Sequence, residues 1–321
     1  MIEKFEPASL EEAVRICVVP IDEHLAELRV PIPDRTLQAA LLFVKHNILE
    51  IEGDSKDDFT DKVWFQTIYR TIREWYEKRY GAAAKRPAIF LLGACEVAGA
   101  LFEIRIPVTL VRTEKPGETI WLVFPVDLQP EENSTKWFVV PPNFESLKTE
   151  DRVAAIERAE RIAHLLRSIH SALMTATRPD QVAVALAEKV LPHLAAAAEH
   201  LIRQRVPTTG LSVWESHQAV ESALKLFARQ VNGTHATHHE LVQLFRDIAG
   251  SLPLMDERSV SKMPSQKKAI QARAGEDGIS VGEAYEIYQI SLNLTARLVE
   301  AMPGKFKMRN GAFLLKKAPF I

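Results

Sequence analysis

A chain of 321 residues exceeds what one hydrophobic core usually organises, so two domains are the expectation. With 47% hydrophobic and 26% charged residues it has the balance of a globular protein, which excludes fibrous and disordered classes. A net charge of −2 excludes a global attraction to nucleic acid, so any such surface has to be local.

The two cysteines, Cys17 and Cys95, form no CxxC pair and indicate neither a zinc site nor a disulfide framework. Residues 1–14 carry acids early and lack the apolar segment of a secretory signal. The apolar runs fall short of the ~20 residues that span a bilayer. The expectation is a cytoplasmic protein without membrane contact. No P-loop, dinucleotide fingerprint, zincin helix or nucleophile elbow occurs, so no cofactor and no metal is expected.

Near the N-terminus, residues 10–15 read as a helical turn or two. Residues 16–19 (ICVV) read as a short buried strand that ends at Pro20. After Pro31 and Pro33, Asp34 or Thr36 would cap a helix to about Asn47, with Leu37, Leu41, Val44 and Ile48 on its face. An acidic loop containing Gly53 and Asp57-Asp58 follows. Thr60 would then start a helix that stops before Gly81 and carries Trp64, Ile68, Ile72, Trp75 and Tyr76 along one side. That stripe would either stack bases, helped by Arg70, Arg73, Lys78 and Arg79, or pack a core.

Beyond Lys85-Arg86-Pro87 the period changes to that of strands: residues 88–92, 101–111, 120–126 and 137–140. Pro116-Gly117 marks a hairpin turn, and Pro107 and Pro125 suggest edges or bulges. The expected product is one antiparallel sheet of three or four strands packed on the aromatic helix, closed by Pro141-Pro142-Asn143.

From Thr149 the pattern is helical. One helix covers residues 151–176 and a second continues to about Arg205, where Pro192 should kink or divide it. Residues 207–210 read as a linker. Ser212-Val-Trp-Glu215, Thr237-His-His-Glu240 and Ser280-Val-Gly-Glu283 read as three capping boxes, and Asn232-Gly233 as a helix end. Gly250 and Pro253 would end the second of these helices, and Pro303-Gly304 the third.

Residues 212–250 carry a family likeness. A helix bearing Glu221-Ser-Ala-Leu-Lys225, a glycine at Gly233 and a threonine–histidine–acid–leucine start at 237–241 together resemble the HEPN domain (higher eukaryotes and prokaryotes nucleotide-binding). The likeness covers residues 215–248 and extends more weakly to Met302, through Arg273-Ala-Gly-Glu276. It implies an all-α bundle that works as a metal-independent ribonuclease, a toxin, a nucleotide-binding helper or an inactive scaffold. HEPN nucleases resemble one another in an arginine–histidine motif near the last helix. This sequence departs there, since residues 284–302 contain no histidine.

Two such spacings occur elsewhere, Arg229 to His235 and Arg158 to His164. Arg229 with His235 or His239 is the candidate catalytic set: the histidine would take a 2′-hydroxyl proton and the arginine would grip phosphate. His235, His238 and His239 could instead decorate a helix start or hold a transition metal.

The basic stretch 262–273 offers Lys262, Lys267, Lys268 and Arg273 for phosphates, or as a solvated face. The tail adds Lys305, Lys307, Arg309, Lys316 and Lys317, interleaved with Phe306 and Phe313. Its last ten residues would form a strand that adds to this chain's sheet or a partner's.

The fold class expected is α+β: a mixed helix and antiparallel-sheet domain at 1–145, a HEPN-like helical bundle at 146–303 and a tail at 304–321. The function expected is non-catalytic binding of RNA, a nucleotide or a protein partner, as a homodimer, in a defence or toxin–antitoxin type of system. A metal-independent ribonuclease using an Arg–His pair is the alternative.

Overall fold

The computed structural model describes residues 7, 9–51, 54–56, 59–84, 90–116, 118–204, 206–252, 255–276, 278–303 and 310–316, without the side chains of 61, 206, 207 and 316. The chain is α+β and divides into two compact units: Met1–Ala88 with Lys317–Ile321, and Ile89–Lys316. The break expected at 145–146 lies inside the second unit.

The first unit is helical. α1 (Leu10–Glu27) is capped by Ser9, whose Oγ accepts the Glu12 N–H at 3.2 Å. It runs through Pro20, so the strand expected at 16–19 is corrected. Val14, Cys17, Val18 and Leu25 recur at helical spacing and bury one stripe, which outweighs the single backbone donor that Pro20 removes.

α2 (Ile32–Asn47) starts earlier than expected, with Pro33 in its first turn; neither Asp34 nor Thr36 caps it. Its buried face is Ala39, Ala40, Phe43 and Val44, and Leu37 stands 51% exposed. α3 (Val63–Tyr80) follows a 3₁₀ turn, Phe59–Asp61, which takes up the Thr60 expected as its cap. Phe65, Ile68, Ile72 and Tyr76 pack with the stripes of α1 and α2 in one core. The aromatic stripe is therefore mainly a packing face, flanked by half-buried Trp64 and Trp75. Asp22, buried on α1, accepts from Arg35 of α2 at 3.2 Å and from the Tyr80 hydroxyl, which ties the three helices together.

In the second unit, β1 (Phe90–Val97) and β2 (Ala100–Pro107) pair as a hairpin. Its turn, Ala98-Gly99, has φ of 50° and 83°, the hand that suits twisted strands. β3 (Leu110–Lys115), β4 (Thr119–Phe124) and β5 (Gly311–Lys316) form a separate antiparallel sheet in the order β3-β4-β5. Two sheets thus replace the single one expected, because the run 101–111 breaks at Val108-Thr109. Residues 137–140 contribute one bridge, Phe138 to Ile104, after a 3₁₀ turn, Ser134–Trp137. The tail strand pairs with β4, as one of its two expected modes required.

The hairpin rests on α4 (Thr149–Thr175) and α5 (Gln181–Ile202) and shares one core with the helices after them. At Gly93 any Cβ would sit 2.9 Å from Ile162 Cγ2, so the strand approaches α4 where only glycine fits. α5 stays one helix across Pro192, so the proline does not divide it, and α5 packs extensively against α6 (Val206–Asn232). Then come α7 (Leu241–Arg246), α8 (Glu257–Val260), α9 (Gln266–Ala274) and α10 (Val281–Glu300).

Of the three expected capping boxes one has its serine half in place: Ser280 Oγ accepts the Glu283 N–H at 3.2 Å. Ser212 is instead fully buried inside α6, which begins near Pro207, a residue suited to a first helical turn. The linker expected at 207–210 is helix, and Gly210 lets α9 approach: a Cβ there would lie 1.9 Å from the Ala272 carbonyl oxygen. Thr237 does not cap α7, whose N-cap is Glu240 without a side-chain bond. The basic stretch 262–273 lies mostly in α9.

Among the described residues no helix is long and apolar enough to cross a membrane. Gly53, Asp57-Asp58, Lys85-Arg86-Pro87, Gly117, Pro253, Gly304 and the tail residues Lys305, Phe306, Lys307, Arg309 and Lys317 lie outside the described residues.

Candidate functional site: a polar cluster beside a groove

α6 is long, central and polar inside. His217, Glu221 and Lys225 repeat every fourth residue, so they stack on one face, and all three are buried. Buried charge is costly unless it is paired, and here it is. Glu221 Oε1 accepts from Lys225 Nζ at 2.8 Å and from His239 Nδ1 at 2.7 Å, while Oε2 accepts from Gln218 at 3.2 Å. Burial pushes the Glu221 carboxyl up, but the bonds from Lys225 and His239 outweigh it and hold it below the usual range.

His217 is wholly buried, with Nε2 4.0 Å from Glu221. Its ring faces two backbone carbonyls, Pro264 from Nδ1 at 3.2 Å and His239 from Nε2 at 3.3 Å. Burial pushes its pKa down, against the pull of Glu221 and the two carbonyls. Trp214 stacks on the ring, with planes 8° apart, and the Arg273 guanidinium lies 5.0 Å from the Trp214 ring centre.

Next to this cluster opens a groove of about 900 Å³. One wall is the start of α7, with Glu240, Leu241 and Val242. The second is the segment from Val260 to Ser265 with Lys268. The third is α10, with Glu283, Glu286, Ile287 and Ile290, together with Ile279 just before it. Its lining is mixed, apolar and polar in nearly equal measure, and includes two lysines and three glutamates.

The expected catalytic set is not assembled. Arg229 is held by Asp180, with Nε 2.9 Å and 2.7 Å from the two carboxylate oxygens and Nη2 2.6 Å from Oδ2. Asp180 also caps α5, and the Arg229 and Ala183 bonds lower its pKa to about 2. No hydrogen bond links Arg229 to His235 or His239. His235 is half-buried, His238 lies 3.6 Å from Asp247, and His239 pairs with Glu221. Arg158, in the other spacing, bonds the Glu96 carbonyl, while His164 contacts Asp127.

Of the expected phosphate contacts, Lys262 and Lys268 line the groove, whereas Lys267 is exposed outside its lining and Arg273 covers Trp214. Among the described residues no three His, Cys, Asp or Glu side chains are grouped to hold a metal. The Cys95 thiol is buried and pushed up to about 12, far from nucleophilic range.

Sequence reasoning missed Glu221 and His217. Their signal was present: ionisable residues at i, i+4 and i+8 on the same helix stripe as buried leucines. Compared with family models, curated proteins and solved structures, the chain matches none.

Proposed function

We propose that this protein is a non-catalytic binding module and that the groove between α7, the 260–265 segment and α10 receives a segment of a protein partner. The groove's chemistry carries this reading. Its apolar residues, Leu241, Val242, Met263, Ile287 and Ile290 among them, would bury one or two aliphatic or aromatic anchors, and its lysines and glutamates would pair with charges flanking them. Three glutamates in that lining work against a nucleic-acid backbone, which seeks net positive charge. The resemblance to HEPN domains, which include binding scaffolds, supports the same direction.

The test is selection from a random peptide display library on the immobilised full chain. Selected peptides should carry apolar anchors between charges of both signs and lose at least about tenfold in affinity to Ile287→Arg. Peptides insensitive to Ile287→Arg, or no peptides and a single-stranded RNA 20-mer whose affinity falls with Lys262→Glu and with salt, would overturn it.

A second reading is favoured by one observation. Glu221 orients His239 through Nδ1, and this histidine is half exposed. A carboxylate that fixes the Nδ1 proton leaves Nε2 as a base, which is half of a ribonuclease centre. That centre would use His239 with Glu221, not Arg229.

A further inference from the structure

We propose that the partner segment is an amphipathic helix with oppositely charged flanks, acidic residues against the 260–268 wall and basic residues against α10. This deepens the binding reading and rests on it. The charges of the groove are sorted by wall. Lys262 and Lys268 both belong to the stretch from Val260 to the first turn of α9, whereas Glu240 is the N-cap of α7 and Glu283 and Glu286 stand on α10. All five are exposed, and among the described residues no ion pair joins either lysine to any of the three glutamates. The two signs therefore line different walls without neutralising each other. A bound segment meets positive charge on one side and negative charge on the other.

The backbone of the groove decides between a helix and an extended strand. An extended peptide needs a free row of donors and acceptors to pair with, as a sheet edge provides. α10 offers side chains only, because its backbone bonds within the helix. A strand laid along it would leave its own N–H and C=O groups unpaired against Ile287 and Ile290. A helix satisfies those groups internally. Glu283, Glu286, Ile287 and Ile290 are spaced i, i+3, i+4 and i+7, so they form one stripe along about 10 Å of α10, two turns long. A partner helix matches that stripe with apolar anchors at i and i+4. Its positions i+1 and i+5 then form one flank and i+3 and i+7 the other, and the groove asks for opposite charge on the two.

The test begins with a display library of alanine-based helices about 16 residues long, enough for the helix to form, with one face randomised. It is selected on the immobilised full chain beside the unconstrained peptide library. Selected helices should carry apolar residues at i and i+4, acids on one flank and bases on the other. Their affinity is then measured against two variants that keep the fold. Glu286 is exposed in mid-helix, so Glu286→Lys disturbs no packing. Ser265 Oγ already accepts the Lys268 N–H, so Lys268→Glu completes a capping box. Glu286→Lys should weaken binding about fivefold and be rescued by a peptide whose basic flank is changed to glutamate. Lys268→Glu should weaken it similarly and be rescued only by reversing the acidic flank.

Selected helices with both signs mixed on each flank would overturn the proposal, as would losses that reversal of either flank repairs equally. Unconstrained peptides that depend on Ile287 while no helix is selected would overturn it too, and leave the binding reading standing. No selected peptide from either library would refute both.

Discussion

Arg229 and Asp180 join α6 to the first turn of α5 by a two-pronged bridge, and Asp180 at the same time accepts the Ala183 N–H at 2.9 Å. One carboxylate serves as helix cap and as counter-ion. The two residues are 49 positions apart, so the arginine that sequence spacing offers to chemistry is used for architecture. Arg229→Ala should lower the melting temperature and leave peptide binding in the groove unchanged. Asp180→Ala should lower it further, since cap and bridge go together. Differential scanning calorimetry of the two variants orders them.

The same pair sets an acid dependence. The folded pKa of Asp180 is lowered to about 2, against about 3.9 in an unfolded chain. A lowered carboxyl pKa means that the unfolded state binds more protons in between. The contribution is therefore complete above about pH 4 and disappears as pH falls through about 2. Asp180→Asn keeps an acceptor for the cap and does not titrate. The difference in urea midpoint between the native chain and Asp180→Asn should shrink over that window.

Much of this architecture was readable in advance. The long helices α4 and α10, the Ser280 cap and the tail strand follow directly from periodicity and end signals. The errors share a physical cause: local signals were overruled by burial elsewhere. Ile16, Val18 and Val19 are β-branched and the run ends at a proline, yet the stripe through Leu25 makes it helix. Ser212 fits a cap by spacing, but Pro207 had already started the helix, and close packing at Gly210 fixed its course. At the site, the i, i+4 spacing of His217, Glu221 and Lys225 was visible, whereas their partners His239 and Pro264 come from other segments, which no local pattern announces.

A buried ion pair also holds the strand region to α4. Arg167 and Glu132 are 2% and 3% exposed, joined at 2.6 Å and 2.9 Å, and the guanidinium also donates to the Pro107 carbonyl. Truncating one partner leaves a charge without compensation, so Glu132→Ala should cost about 3–5 kcal/mol. Replacing both residues, as in Arg167→Met with Glu132→Leu, should recover much of that loss. Chemical denaturation of the single and double variants measures it.

Gly210 tests whether the α6–α9 contact shapes the groove. A methyl group there meets the Ala272 carbonyl at 1.9 Å, a backbone atom that cannot swing aside, so α9 has to shift. Gly210→Ala should destabilise by about 1–3 kcal/mol, and since Lys268 sits on α9 it should also weaken groove binding. Gly233, which has open space around it, separates the effect of close contact from the general cost of replacing a glycine, although its φ of 73° adds strain of its own.

His239 and Glu221 decide between the two functional readings. If the groove is a binding site alone, purified protein in chelator leaves total RNA intact, and His239→Ala changes only peptide affinity. If His239 is a base, cleavage appears without metal, is lost in His239→Ala and in Glu221→Gln, and persists in Arg229→Ala. Glu221→Gln needs care, because Lys225 then keeps a buried charge without its counter-ion, and a stability loss of about 3 kcal/mol is expected. His239→Ala avoids that complication, since Lys225 and Gln218 still meet the carboxylate when the half-exposed imidazole is removed. The expected result is intact RNA. Metal-independent cleavage that His239→Ala abolishes in a folded chain would replace the binding reading with the enzymatic one.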